Sequence, residues 1–285
     1  MSDDPPSSPS PAPTRLTVGL DGSPHSQAAL DAAVRLAARF EAEVRGLFVE
    51  DEQLLRAAEL PFAAEVRVHS RPPRRLSGPR VERQLRYQAE RAEAAFQRTA
   101  DQAGVEHSFE IVRGRVSTTL LAATDEADLL ALGKTSTASS RHRLGSTAES
   151  VVAEADSPVL VLRAALAPQQ PLLTYFDGSP QAERALQWAV QVAQGDPPAA
   201  LTVLLPPGDA DTAARLQEAV HAQCAHAGVP LQVHVLTDTE EVRLPVLARR
   251  SGEGLVVLPV GCAPLQNDTL QHFLYELDRP ALFVR

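Results

Sequence analysis

Short apolar runs alternate along this chain with longer amphipathic stretches, and the same order appears twice. The apolar runs of the first half are RLTVGL, VRGLFVE, HSFEIVRG, DLLALG and PVLVLR, and those of the second half are LLTYF, ALTVLL, LQVHVL, GLVVLP and ALFVR. Between them, apolar residues recur at the spacing of a helix. Strands alternating with helices predict parallel sheets with helices packed on both faces, because each crossover returns the chain through a helix. We therefore predict an α/β fold with two tandem open five-stranded parallel-sheet domains.

An internal repeat supports this division. Residues 21–37, DGSPHSQAALDAAVRLA, align without gaps with residues 177–193, DGSPQAERALQWAVQVA. The ends of the halves agree as well, since ADLLALG matches EGLVVLP and SPVLVLR matches RPALFVR. A repeat of this length indicates one ancestral unit used twice.

The repeat also sets the expected domain boundaries. A Pro- and Ser-rich leader at residues 1–14 is predicted to be disordered, and the two domains are predicted at 15–164 and 170–285. The first domain carries an insertion at roughly 51–79, which begins as a short amphipathic helix and ends in an arginine-rich stretch. That stretch, close to a ligand-side strand, suggests a lid, an anion contact or a partner surface, or else a solvated loop.

Composition narrows the function classes. The net charge of -9 and the pI near 5.4 argue against a nucleic-acid partner, because a polyanion is repelled by the average surface. No apolar run reaches the roughly 18 to 20 residues that cross a bilayer. Cys224 and Cys262 are far apart and without a CxxC partner, as expected for bystander thiols in a cytoplasmic protein.

Ligands of open parallel sheets bind beyond the carboxyl ends of the strands, where the strand order reverses. Three segments of the first half fall there: Gly19 to Asp21, Val49 to Asp51, and Gly133 onward. Asp21 allows two interpretations, because Asp-Gly-Ser-Pro is also a good turn and helix-cap sequence without any ligand. Its recurrence at Asp177 shows that a structural role alone can retain it.

The stretch LGKTSTASSRHRLGST, Leu132 to Thr147, resembles a phosphate loop. A Walker loop needs a glycine five residues before Gly-Lys-Thr, where this chain has Asp128, and it needs a helix to begin at the lysine. Here the helix is expected to begin at Ser146, with Glu149 completing a capping box. Gly145, Ser146 and Thr147 therefore form a better phosphate turn, and the alternative is a capped helix after a solvated loop. The positive charges available to such a site are Lys134, Arg141, His142 and Arg143.

These motifs resemble the universal stress proteins in their tandem two-domain form. The resemblance is carried by VGLDGSPHSQAAL, DLLALG, GSTAESVV and SPVLVLR, and it covers nearly all of the chain after the leader. It implies Rossmann-like domains that dimerise, in a family whose members either bind ATP or do not. Binding members share a loop written G-x2-G-x9-G-[ST].

The resemblance implies an adenine-nucleotide site in the first domain, with ATP as the ligand and Mg²⁺ as its companion ion. The middle glycine of the family loop is replaced by Ser136, and the spacing to Gly145 is one residue short. Lys134 is expected to add positive charge beside the phosphates. The residues implied for nucleotide binding are Gly19, Asp21, Val49, Gly133, Lys134, Ser136, Gly145, Ser146 and Thr147.

The second domain lacks these features. Pro259 stands at the first loop glycine, Pro264 follows it, and no closing Gly-Ser or basic residue is present. We therefore expect a structural second domain that binds no nucleotide. By resemblance to family dimers, the two domains are expected to form a pseudo-dimer through PVLVLR and ALFVR, and whole chains are expected to dimerise further.

Three functions remain open on the sequence. The first is a stress-response protein whose first domain binds ATP in a regulatory role and biases contacts with unidentified protein partners. The second is a tandem stress protein that binds no nucleotide and acts through protein contacts. The third is a slow ATPase, although no Ser-His-Asp set, metal-ligand pattern or base beside the phosphates is evident, so an enzyme is the weaker reading.

Overall fold

A computed structural model describes residues 12–65, 74–75, 77–134, 146–162, 170–195, 197–238, 254–262 and 279–285. Outside these ranges lie most of the predicted leader, part of the insertion, most of the linker between the domains, and Pro264 in the second half. Ser136, Arg141, His142, Arg143 and Gly145 of the loop also lie outside the described residues.

The order of elements repeats between the halves. The first half runs through β1 (Arg15–Leu20), α1 (Pro24–Phe40), β2 (Glu43–Asp51), α2 (Glu52–Glu59), β3 (Ala64–Glu65), β4 (Arg74–Arg75), α3 (Gly78–Ala103), β5 (His107–Gly114), α4 (Val116–Thr124), β6 (Leu129–Gly133), α5 (Ser146–Glu154) and β7 (Val159–Leu162). The second half runs through β8 (Leu172–Tyr175), α6 (Pro180–Ala193), β9 (Leu201–Leu205), α7 (Ala210–Cys224), β10 (Leu231–Val235), β11 (Leu255–Pro259) and β12 (Ala281–Val284).

The main strands of the described chain form one sheet in the order β10-β9-β8-β11-β12-β7-β6-β1-β2-β5. All neighbours in it are parallel except β12 and β7, which run antiparallel. Each half therefore supplies five parallel strands, and the halves join through their last strands. The predicted fold class and the predicted junction are confirmed.

The register of the junction has twofold character. Leu160 lies opposite Leu282, and these residues occupy equivalent positions in the two halves. Val159 pairs with Phe283 and Val161 pairs with Ala281, as a twofold axis between the central pair requires. The pairing removes two exposed strand edges, which are otherwise templates for aggregation.

The first helix of each half begins at the same kind of cap. The Ser23 side chain accepts a hydrogen bond from the Ser26 N–H at the start of α1, and the Ser179 side chain accepts one from Ala182 at the start of α6. A proline follows each cap at the first helical position, where a missing N–H costs nothing. The predicted start of the first helix is confirmed.

Two hydrophobic clusters cover the two faces of the sheet. The first contains the buried faces of α1 and α6 and crosses from one half to the other. The second contains residues of α4 and α5 together with strand residues of both halves. Because both clusters span the junction, the halves share their core.

The insertion contains the expected helix and one element that was not expected. Helix α2 is capped by the Asp51 side chain, which accepts from the Gln53 N–H at 2.8 Å, and it packs on α3 around Ala58, Val81 and Leu85. Strands β3 and β4 pair antiparallel over two residues each. Pairing that short leaves no alternating pattern in the sequence.

The Asp128 side chain binds the backbone at the start of β1. Its Oδ2 accepts from the backbone N–H of Thr14 at 2.7 Å and from that of Arg15 at 3.0 Å. Burial raises the pKa of the Asp128 carboxyl, but the hydrogen bonds from Thr14 and Arg15 outweigh it and hold the pKa below its ordinary value. Ionised Asp128 therefore stabilises the folded chain at neutral pH.

Asp128→Asn is expected to weaken the acid sensitivity of folding. A carboxyl whose folded pKa lies below its unfolded value of about 3.9 contributes stability above that pH and loses it as the pH falls through the folded pKa. The variant should lose about 1 kcal/mol at pH 7, since the site is partly exposed, and less near pH 3, which lies below the unfolded pKa. Urea unfolding at both pH values measures this difference. Equal losses for Asp128→Asn at both pH values would contradict the assignment.

Candidate functional site

The strand order of the first half reverses at β1, which lies between β6 and β2. The carboxyl ends of these parallel strands meet at one edge, followed by Asp21 after β1 and Lys134 after β6. Helix α5 connects β6 to the parallel strand β7, so its first residues lie at this same edge. The described site residues brought together at this carboxyl edge are Gly19, Asp21, Val49, Gly133, Lys134, Ser146 and Thr147.

Asp21 forms a turn that does not depend on a ligand. Its Oδ1 accepts from the Ser23 N–H at 2.9 Å, and Asp177 Oδ1 accepts from the Ser179 N–H at the same distance. The glycines between them, Gly22 and Gly178, have φ of 75° and 82°. The two aspartates are therefore matched in local structure, and a further role for Asp21 must appear as a difference between them.

Packing restricts the glycines near the ends of β1 and β6, most strictly Gly133, because its nearest neighbours are backbone atoms and those of Gly19 are side-chain ends. A Cβ on Gly19 would lie 2.7 Å from Leu132 Cδ2, and one on Gly133 would lie 2.8 Å from the backbone of His25 and Ser26. The first turn of α1 therefore lies directly against the end of β6. The position of His25 beside Gly133 could not be predicted from the sequence, because it depends on how α1 crosses the sheet.

Lys134 directly follows β6 and is buried. Its N–H donates to the Leu162 carbonyl at 2.6 Å, and the residue is 5% exposed. In the second half the Val260 N–H donates to the Val284 carbonyl at 2.7 Å in the equivalent arrangement. The sequence predicted a positive charge beside the phosphates at this position, and the burial of the residue was not part of that prediction.

The outer part of the edge carries an ion pair. Val49 lies opposite Val112 in the β2–β5 pairing and packs partly against the second cluster. The next pair is Glu50 and Arg113, and Glu50 Oε2 accepts from Arg113 Nε at 3.1 Å and from Nη2 at 2.9 Å. The sequence interpretation did not include this pair, because strand register joins residues that are far apart in the chain.

Helix α5 directs its amino terminus to the edge. Ala148, Val151 and Val152 are buried against the second cluster, and Thr147 is half-buried. The first N–H groups of a helix lack partners within the helix and carry partial positive charge, which favours an anion there. The predicted helix from Ser146 agrees with the structure, which ends it at Glu154.

The equivalent edge of the second half is built differently. Tyr175 occupies the position of Gly19, and Phe176 occupies that of Leu20, and each is 1% exposed. Pro259 ends β11 where Gly133 ends β6, so this strand end lacks one backbone N–H. The second half thus carries the bulk of Tyr175 two residues before Asp177, where the first half has Gly19.

Other chemistry finds little support in the described residues. They contain no group of three His, Cys, Asp or Glu side chains placed to hold a metal ion. Cys224 and Cys262 are both buried, and burial raises the pKa of the Cys224 thiol to about 11. That thiol stays protonated at neutral pH and is a poor nucleophile.

Fold and site together define an α/β protein of the open parallel-sheet class, with a candidate ligand edge in its first half. The family model of the universal stress protein family matches residues 13–163. The chain therefore belongs to the universal stress protein family. No curated protein sequence matches the chain.

Two solved structures are similar over nearly the whole chain. A universal stress protein from Archaeoglobus fulgidus DSM 4304 aligns with a TM-score of 0.70 and 16% identity, covering 94% of this chain and 97% of that one. A functionally unknown protein from Pseudomonas aeruginosa PAO1 aligns with a TM-score of 0.61 and 16% identity, covering 95% and 92%. At this identity the likeness concerns the fold, and it supports the tandem arrangement.

A third, shorter structure is a universal stress protein in complex with cAMP. It aligns with a TM-score of 0.38 and 23% identity, covering 54% of this chain and 99% of that one. At that similarity the bound nucleotide is a property of that protein alone.

Among the described helices, none combines the length and the apolar character that crossing a bilayer requires.

Proposed function

We propose that this universal stress protein binds one adenine nucleotide, with ATP as the first candidate, at the carboxyl edge of its first half. The supporting observation is the reversal of strand order at β1, which brings Asp21, Gly133 and the start of α5 to one edge from distant parts of the chain. A crevice at such a reversal is where open parallel sheets bind ligands. The bound state would regulate contacts with protein partners.

Five residues at the edge would contact different parts of the nucleotide. Asp21 accepts from the ribose hydroxyls while keeping its turn, and the Val49 backbone faces the adenine. The first N–H groups of α5, at Ser146 and Thr147, hold the phosphates. Lys134 is buried where a positive charge acts at short range in a medium of low dielectric. Mg²⁺ would arrive with the phosphates, since such ions commonly use nucleotide oxygens and few protein ligands.

We assign the second half a structural role. Tyr175 and Pro259 replace the two glycines that flank the edge in the first half. The last strand of the second half supplies the partner that β7 needs, so one chain imitates a dimer of single-domain members. The proposal therefore has one nucleotide per chain.

One observation favours a second candidate, a protein that binds no nucleotide and acts through protein contacts. Gly19, Asp21 and Gly133 all have packing or turn roles that require no ligand. Those roles explain why the residues are present, but they leave the crevice available, so the two candidates differ only in measured binding.

Asp21→Ala and Asp177→Ala separate the two candidates. Both changes remove the same 2.9 Å turn hydrogen bond, so both should lower stability by a similar amount of about 1 kcal/mol. Only Asp21→Ala should weaken ATP binding, by about 10- to 100-fold, because it alone removes the acceptor for the ribose. Calorimetric titration with Mg-ATP measures the affinity of each variant.

Matched stability is the control, since it shows that the turn has been lost equally in the two variants. If both variants bind ATP as tightly as wild type, Asp21 does not contact the nucleotide. If wild type itself gives no heat at millimolar Mg-ATP, the second candidate replaces the first.

A further inference from the structure

Arg285, directly after β12, crosses the junction and contacts the last turn of α5. Its Nη1 donates to the Glu154 carbonyl at 3.2 Å, and its Nη2 donates to the Ala153 carbonyl. Nη1 also lies 3.8 Å from an Asp156 carboxylate oxygen. A residue of the second half thus caps the carboxyl end of a first-half helix.

The antiparallel junction explains this contact. Because Phe283 pairs with Val159, the end of β12 lies beside the start of β7, which is also where α5 ends. The last carbonyls of a helix lack partners within the helix, and a positive charge there is favoured by the helix dipole. The guanidinium of Arg285 satisfies both conditions.

Helix α5 is short enough for this cap to influence its position. It has nine residues, and helices of that length are marginal without tertiary contacts. Its anchors are Ala148, Val151 and Val152 in the second cluster and the guanidinium at its end. Its other end carries Ser146 and Thr147, which lie at the carboxyl edge of the first half.

We propose that Arg285 is a positioning residue for the nucleotide site, through which the second half sets the placement of α5. This inference rests on the proposed function. Coupling between two sites is reciprocal, so a nucleotide bound at the start of α5 also strengthens the contact of Arg285 with its end. Nucleotide binding in one half thereby stabilises the packing between the halves.

The matched control is Arg39 of the first half, whose guanidinium makes the same kind of contact with the last turn of α6 in the second half. Its Nη1 donates to the Val192 carbonyl and its Nη2 to the Gln191 carbonyl, each at 2.6 Å, at the end of α6. Arg39 therefore also joins the halves, but it caps a helix that does not lead to the proposed site. Both Arg285→Ala and Arg39→Ala remove one such cap.

The test combines calorimetric titration of Mg-ATP with hydrogen exchange of the α5 and α6 amides in the full chain. We expect Arg285→Ala to weaken ATP binding by about 3- to 10-fold and to speed exchange in α5, without changing α6. Arg39→Ala should speed exchange in α6 and leave the affinity within about 2-fold of wild type. Arg285→Lys, which keeps the charge and a donor, should restore most of the affinity.

The outcomes separate this inference from the proposed function. If wild type binds no ATP, the proposed function is wrong and the coupling falls with it. If wild type binds ATP and Arg285→Ala binds equally well, only the coupling is wrong. Equal loss of affinity in Arg285→Ala and Arg39→Ala also overturns it, because the effect would then reflect general loosening of the junction.

Discussion

Gly254→Ala is expected to unfold the second half. A Cβ at this position would lie 1.6 Å from the Pro171 carbonyl oxygen and 2.8 Å from its carbonyl carbon. Both obstacles are backbone atoms at the start of β8, a strand held between β11 and β9. Relief would require β8 and β11 to separate, so we expect a loss of more than about 4 kcal/mol. Urea unfolding followed by circular dichroism and by the fluorescence of Trp188, the one tryptophan, measures it.

The reason for this glycine appears on comparing the halves. The first half has Asp128 at the equivalent position, and its carboxylate accepts from the N–H groups of Thr14 and Arg15. Pro171 replaces Arg15 in the second half and has no N–H to donate, so a carboxylate there would lack one of the two backbone donors that Asp128 has. Gly78→Ala is the control, because no atom of the described residues lies within 4 Å of its added Cβ. A Gly254→Ala protein as stable as this control would contradict the close packing of β8 on β11.

Tyr175→Ala is expected to cost about 3 to 5 kcal/mol, the range for large buried side chains that leave a cavity. Tyr175 is 1% exposed and belongs to the second cluster, near the junction strands. The cavity would open at the end of β8, beside Pro259. We expect no gain of ATP binding from it, because the second half still lacks the glycine-bearing loop. Urea unfolding and Mg-ATP titration of the variant test the two parts.

Tyr87→Ala supplies the comparison for that loss. Tyr87 is 59% exposed on α3, where Arg91 lies 5.7 Å from its ring centroid. Its removal should cost less than about 1 kcal/mol. Similar losses for Tyr87→Ala and Tyr175→Ala would show that Tyr175 does not fill the core. A Tyr175→Ala variant that binds a second ATP would show that bulk alone closes the second half.

The strands and helices could be predicted because the same order of apolar runs and amphipathic stretches occurs in both halves of the sequence. RLTVGL and LLTYF precede the same Asp-Gly-Ser-Pro, and buried parallel strands leave continuous apolar runs. The junction between β7 and β12 was predicted from the resemblance to family dimers, which pair through their last strands. What the sequence could not give was register, which places Leu160 opposite Leu282 and Glu50 opposite Arg113.

The candidate site was predictable in part. The positions of Asp21, Gly133 and Ser146 after strands or at a helix start follow from the alternation of apolar runs and amphipathic stretches in the sequence. The packing reasons for Gly19 and Gly133 did not appear, because they depend on Leu120, Leu132 and the crossing of α1. The burial of Lys134 and the reach of Arg285 to α5 also depend on tertiary packing, which periodicity does not encode.

The two halves have diverged at matched positions. In the alignment of the two halves, Gly19 corresponds to Tyr175, Gly133 to Pro259, and Asp128 to Gly254. Each second-half residue either fills space or removes a hydrogen-bonding group at a strand end. This pattern is expected when one half keeps a ligand edge and the other keeps only its contribution to the shared core.

The stoichiometry of ATP binding tests whether each chain has one nucleotide site, in its first half. The protein is purified without added nucleotide and then denatured, which releases any adenine nucleotide that it carries for measurement. After this nucleotide is removed, the chain is refolded and titrated with Mg-ATP by calorimetry. One binding site per chain is expected in the titration, and the carried adenine nucleotide should not exceed one per chain. Two equivalent sites would contradict the structural role of the second half, and the absence of both carried nucleotide and binding heat up to millimolar Mg-ATP would contradict the nucleotide site itself.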